Sequence, residues 1–219
     1  MTGRWVSVEP ERLAGWLERF TASHGGVSSS TVDPAAVVVS AADGTVAECR
    51  VPFPPLRVDP SDPYGGLVAH ALVDRRVGVL LVRLGGHAAG VFDGTRLVAS
   101  KVGSRQVHGR SAAGGQSQQR FARRREGQVR IALVAAADVA AAVLLPSVST
   151  LDAVVLGGDR RAVDAVLADP RLTPLRPLVV GSRVEVPDPR LKVLEQTPRL
   201  FRATRIRVDP ASDPATLDT

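Results

Sequence analysis

Residues 77–102 read VGVLLVRLGGHAAGVFDGTRLVASKV. The run VGVLLVRL (77–84) is apolar almost without interruption, the pattern of a central strand buried on both faces. Gly85-Gly86-His87 turns the chain, AAGVF (88–92) resumes it, and Asp93-Gly94 is a two-residue hairpin signal before TRLVASKV (95–102). Three consecutive antiparallel strands are therefore expected. They lead directly into GSRQVHGRSAAGGQSQQRFARRREGQ (103–128), which has almost no apolar content.

The segments around this block complete an α/β reading. Residues 9–23 put Leu13, Trp16, Leu17 and Phe20 at helical spacing, and His24-Gly25-Gly26 ends that helix. AAVVVSAADGTVAECRV (35–51) reads as two strands about Asp43-Gly44, and RVDPSDPY (57–64) as a connector. A short helix over 65–74 follows. From Ser117 the pattern is helical, with Phe121, Val129, Ala132, Ala136, Val139 and Val143 on one face and Pro146 as the stop. LDAVVLGG (151–158) reads as a strand and DRRAVDAVLADP as a helix capped by Asp159. PLVVGSRVEV reads as a further strand, DPRLKVLEQTP as a short helix and LFRATRIRV as a final strand. The expectation is a mixed β-sheet with helices packed on it, plus a small α/β annex. Its boundaries are a helix-plus-hairpin annex at 1–64, a main domain at 65–208 and a disordered tail at 209–219.

Composition narrows the function. Hydrophobic residues make up 44% of the 219 and charged ones 23%, which excludes a disordered chain. Cys49 is the only cysteine, so an intrachain disulfide and a cysteine-based zinc site are both excluded. His24, His70 and His87 show no metal-ligand spacing. MTGRWVSVEPERLAGW has no apolar core followed by a cleavage site, and no run of about 18 apolar residues is apparent, so the expectation is a cytoplasmic protein without a membrane partner.

The net charge of +6 is concentrated. Residues 101–130 hold Lys101, Arg105, Arg110, Arg120, Arg123, Arg124, Arg125 and Arg130 against Glu126, or +7. The rest of the chain has 20 bases and 21 acids, or −1. A focused surplus of this kind points to a polyanion, and the arginines are candidate RNA ligands. Gly103, Gly109, Gly114 and Gly115 allow close backbone approach to such a ligand. A solvated helix face would carry similar arginines. VVLGGDRRAVD (154–164) could be a phosphate loop, but it lacks the dinucleotide and Gly-Lys-Ser/Thr patterns and reads as a tight strand-to-helix turn.

The stretch 103–128 resembles the catalytic segment of the actinobacterial Vms-like release factors, a group of peptidyl-tRNA hydrolases related to the middle domain of eukaryotic and archaeal class 1 release factors. RRVGVLLVRLGGHAAGVFDGTRLVASKVGSR and LDAVVLGGDRRAVDAVLADPRL resemble the flanking elements, so the likeness covers about 70–207. It implies a ribonuclease H-like sheet topology and hydrolysis of the peptidyl-tRNA ester on stalled large ribosomal subunits, as ribosome rescue. It implies no cofactor and no metal, and a monomer off the ribosome. In the family a glutamine follows glycine as Gly-x-x-Gln. Gly115-Gln116-Ser117-Gln118 has that spacing, which makes Gln118 the catalytic candidate. Gly114-Gly115-Gln116 also spells the tripeptide of ordinary termination factors, so Gln116 competes, with Gln119 behind it. Ser111-Ala112-Ala113 departs from the family by lacking a base ahead of the glycines. A glutamine amide donates and accepts hydrogen bonds but is no strong base, so its work would be to orient water. His108 is a lesser candidate. Two other classes remain open at this stage: a non-catalytic RNA- or ribosome-binding module, and a metal-dependent nuclease, for which the basic segment supplies only Glu126.

Overall fold

The structure, a computed structural model, describes residues 3–83, 85–104, 116–181 and 183–211, and of 116–125 only the backbone. In chain order the elements are β1 (Arg4–Val8), α1 (Pro10–Ser23), β2 (Val27–Val32), β3 (Ala36–Ala41), β4 (Val46–Arg50), α2 (Leu67–Leu72), β5 (Arg76–Arg83), β6 (Gly86–Asp93), β7 (Arg96–Ser104), α3 (Gln116–Leu144), β8 (Ala153–Gly158), α4 (Arg160–Leu167), α5 (Leu191–Glu195), α6 (Pro198–Phe201) and β9 (Thr204–Asp209). They form two compact units, Met1–Val73 with Arg199–Thr219, and Asp74–Pro198.

The first unit is larger than a helix and a hairpin. Its sheet has the order β1-β9-β4-β3-β2, with every pair antiparallel. Val37, Val39, Ala41, Ala47, Cys49 and Ile206 alternate inward and meet Leu13, Leu17 and Phe20 of α1. The β3–β4 turn is the expected one. Gly44 sits at φ 86°, and Asp43 Oδ1 accepts the Thr45 N–H at 2.9 Å.

Three sequence expectations change here. The final strand was expected in the main domain, yet β9 lies between β1 and β4, because its alternation suits a one-sided sheet. The boundary at 65–208 shifts accordingly to Asp74–Pro198. β2, VSSSTV, went unpredicted because an edge strand needs little apolar content; only its last residue, Val32, escapes full exposure. β1, RWVSV, is a short edge strand that also went unpredicted. Residues 212–219 of the expected tail lie outside the described set.

The second unit carries the expected mixed sheet, in the order β7-β6-β5-β8. β5, β6 and β7 are antiparallel, and β8 runs parallel to β5. A parallel neighbour needs a long crossover, which α3 provides. Leu80, Val82, Ala89, Val91, Val154 and Leu156 share one sheet face and form a core with α3 and α4. On the other face Leu194 of α5 closes over Gly90, where an added Cβ would come within 3.0 Å of it. PLVVGSRVEV forms no strand. Only single bridges, Val154 to Val179 and Gly157 to Val184, tie it to β8. Its first two residues, Pro177 and Leu178, end a 3-10 helix over Pro170–Leu178 that holds three prolines.

Candidate functional site

The Gly-Gly of VVLGGDRR serves packing. Gly158 sits at φ 97°, and a Cβ there would run into the Val82 carbonyl. Asp159 then caps α4, its Oδ1 accepting the Ala162 N–H at 2.9 Å. The turn is a close approach of β8 to β5 followed by an ordinary cap.

The basic segment starts from the sheet edge. β7 is the edge strand, and most of its residues are exposed. Lys101 pairs with Ala89 and so shares the sheet face on which α3 packs. Gly103 pairs with His87, whose buried ring occupies the space a Cβ on Gly103 would need. At this end of β7 a cleft of about 370 Å³ opens between Gly85, Gly86, Gly103, Ser104, Asp188 and Arg190. That volume is in the range of small-ligand clefts. Its rim offers glycine backbone, a carboxylate and a guanidinium. Ser104 is the last described residue before 116, so the segment departs from the cleft's edge.

α3 begins at Gln116, one residue before the expected start. Among its described side chains none is buried before Ala136; from there Ala136, Ala137, Val139, Ala140, Val143 and Leu144 are. At 1.5 Å per residue, Gln116 stands about 30 Å along the axis from Ala136. Asp138 faces outward and accepts from Arg171 Nη1 at 2.8 Å, while Arg171 Nη2 donates to Asp169 at 2.7 Å. The Arg171 side chain and N–H hold the Asp169 carboxyl down at about 2. Glu126–Thr150 also has the length and apolarity of a membrane span, with mean hydropathy 2.2 over 18 residues, although Asp138 interrupts its apolar run. Ala136, Ala137, Val139, Ala140, Val143 and Leu144 of this stretch lie in the core of the unit.

The predicted residues fall in three groups. Gly114, Gly115, Arg105, Arg110 and His108 lie outside the described residues. Gln116, Gln118, Gln119, Arg120, Arg123, Arg124 and Arg125 lie on the helical backbone of the first three turns of α3. Lys101 is exposed on β7. Sequence reasoning missed Asp188 and Arg190, since nothing local marks them as neighbours of β7. Among the described residues no three His, Cys, Asp or Glu side chains come together as a metal cluster.

The second unit is thus an α/β arrangement, a four-stranded mixed sheet crossed by a 29-residue helix that follows a Gly-, Gln- and Arg-rich segment. The profile of the Actinobacteria/chloroflexi VLRF1 release factor family matches residues 75–207, and the chain belongs to that family. No curated protein matches it. Among solved structures, an archaeal translation termination factor, aRF1, is similar at 12% identity and a TM-score of 0.41, over 90% of this chain and 66% of that one. The chain thus spans just under two thirds of that factor's length. A structure described as an archaeal protein is similar at 12% identity and TM-score 0.40, over 88% of this chain and 70% of its own. The Vms1 mitochondrial localization core is similar at 9% identity and TM-score 0.38, over 82% of this chain and 77% of its own.

Proposed function

We propose that this protein hydrolyses the ester linking a nascent peptide to tRNA on large ribosomal subunits, as a rescue factor. One observation carries the reading: the glycines follow an exposed edge strand in the chain, and the glutamines and most of the charge surplus lie on the first turns of the long helix after them. That placement suits a probe entering a deep RNA-lined site. Water adds to the ester carbonyl carbon, the bond to the ribose oxygen breaks, and that oxygen leaves with a proton. Gln118 holds the attacking water by its amide, an orientation effect. Backbone N–H groups around Gly114, Gly115 and Gln116 stabilise the developing oxyanion. The first turn of a helix leaves its N–H groups without intrahelical partners, which favours negative charge there. Arg105, Arg110, Arg120, Arg123, Arg124, Arg125 and Lys101 grip phosphates without reading sequence. The ribosomal RNA and the tRNA ribose complete the site, so the chain needs no self-contained triad and no cofactor. It acts as a monomer in the cytoplasm.

The test is release of a labelled peptide from large subunits carrying peptidyl-tRNA, with Gln116→Ala and Gln118→Ala alongside. Release by wild type and its loss in Gln118→Ala supports the assignment. Loss in Gln116→Ala alone moves the water to that residue. Binding with no release by wild type makes the protein an RNA- or ribosome-binding module.

A further inference from the structure

The first turns of α3, Gln116–Glu126, are helical in backbone, yet their sequence gives that helix little support. Arg120 and Arg123 are three residues apart, and Arg120 and Arg124 four, so like charges share one helix face. Such spacings lower helix stability. The first turn holds no acid to complement the positive end of the helix. Glu126 is the single acid between Gln116 and Asp138, against Arg120, Arg123, Arg124, Arg125 and Arg130. Among the described side chains of α3, burial begins at Ala136, and Leu133 is the first that packs against the core. A helix of about three turns is not stable in water by propensity alone, so these turns depend on continuity with the packed part.

That continuity is weakest at Gly127. A glycine in a helix interior costs stability relative to alanine, because it gives up more backbone freedom. At Gly127 the backbone lies outside the left-handed region, and a Cβ would meet nothing within 4 Å among the described residues. Neither packing nor backbone geometry asks for a glycine here. Gly15 of α1 is the contrast. It too lies in a helix interior, but Leu13 and Leu17 on either side of it are fully buried, so that helix cannot pivot there. At Gly127 only the C-terminal side is anchored. The residue joins an arginine-bearing stretch to a packed one, which is where a hinge would act.

We propose that Gln116–Glu126 is a helix–coil switch, hinged at Gly127, which RNA phosphates close into the helix by pairing with Arg120, Arg123, Arg124 and Arg125. Paired arginines no longer repel one another, so helix formation and phosphate binding favour each other. The structure shows the helical state. Resting on the hydrolase reading above, Gln116 and Gln118 are set in place for water only once RNA is bound, so the substrate completes the site.

The test measures a distance across Gly127 in the full chain. Spin labels are placed on Ser117→Cys and on Val134→Cys, whose native side chain is exposed. Cys49 is the only native cysteine, and burial pushes its thiol up to about 12, so it stays unlabelled. A continuous helix sets the two labelled backbones about 25 Å apart. Pulsed dipolar electron resonance should give a broad distribution for the free protein and one narrow peak with a saturating RNA 12-mer duplex. Gly127→Ala should narrow the distribution without RNA and tighten RNA binding up to about fivefold, whereas Gly15→Ala should match wild type. Arg120→Gln, Arg123→Gln, Arg124→Gln and Arg125→Gln together should narrow it without RNA and abolish the response to RNA. A narrow peak in the free wild-type protein, or a broad one that RNA leaves unchanged, overturns the proposal. A Gly127→Ala distribution as broad as that of wild type overturns the hinge. Peptide release is scored separately: narrowing by RNA with no release by wild type upholds the switch and sinks the hydrolase reading.

Discussion

The two parts of α3 live in different environments, and their compositions differ accordingly. From Ala136 to Leu144 the helix is fixed in the core, with Ala140 and Leu144 fully buried. From Glu126 to Ala135 no side chain is buried, and Ile131 and Val134 are half exposed at 50% and 53%. Leu133 still packs against that core, and the arginines and glutamines are placed at the other end of the helix. The contrast teaches that a helix anchored at one end can position residues at its other end.

The largest effect that could break this division is catalytic. Gln118→Ala is expected to lower peptide release about 100- to 1,000-fold while affinity for the large subunit changes less than threefold. Equal losses of release and binding would make the far end a grip only. The anchored half should respond in stability. Leu144→Ala is expected to cost about 2–5 kcal/mol, read as a fall in the urea midpoint. A cost below 1 kcal/mol would show that the helix is not held where the contrast requires.

Much of this was legible in the residues, and the exceptions have physical causes. β5 and β6 were plain from VGVLLVRL and AAGVF because strands buried on both faces need continuous apolar runs. The start and stop of α3 were legible from its periodicity and Pro146. β2 was not, since this edge strand spends most of its residues on polarity, and β1 was not, since five residues are too few to show a period. The partner of β9 was hidden because RIRV states an alternation and not a neighbour. In the site, the charge and the glutamines were readable as composition. The cleft of Gly86, Gly103, Asp188 and Arg190 was not, because it joins segments more than 80 residues apart.

The next effect sharpens the comparison through salt. Replacing Arg120, Arg123, Arg124 and Arg125 by Gln should make the dependence of log affinity on log salt shallower by about three to four units for duplex RNA. Measured by anisotropy from 50 to 200 mM salt, an unchanged slope would move the phosphate contacts elsewhere. A smaller effect concerns the tie between α3 and the rest of its unit. The Asp169 carboxyl titrates at about 2 in the native protein, below its ordinary value near 3.9, because Arg171 holds the ionised form. A lowered carboxylate pKa adds stability that is complete above the unfolded value and is lost as pH falls toward 2. The melting temperature should therefore drop between pH 4 and pH 2 more steeply in wild type than in Asp169→Asn. Parallel curves would show that the pair contributes nothing measurable.

The smallest expected effect is the most direct check on the contrast. Ile131→Ser and Val134→Ser remove large apolar side chains from the free half of α3, where each is already about half in water. Such changes should shift unfolding free energy by no more than about 0.5 kcal/mol. Val139→Ser, one to two turns further on, removes a buried side chain that packs in the core, and should cost several times more, since an unsatisfied hydroxyl and a void replace it. Urea midpoints of the three variants decide the matter. A cost above about 1 kcal/mol at Ile131 or Val134 would mean that the free half is covered in the folded protein, and the arginine end would then stand on a packed helix instead of a projecting one.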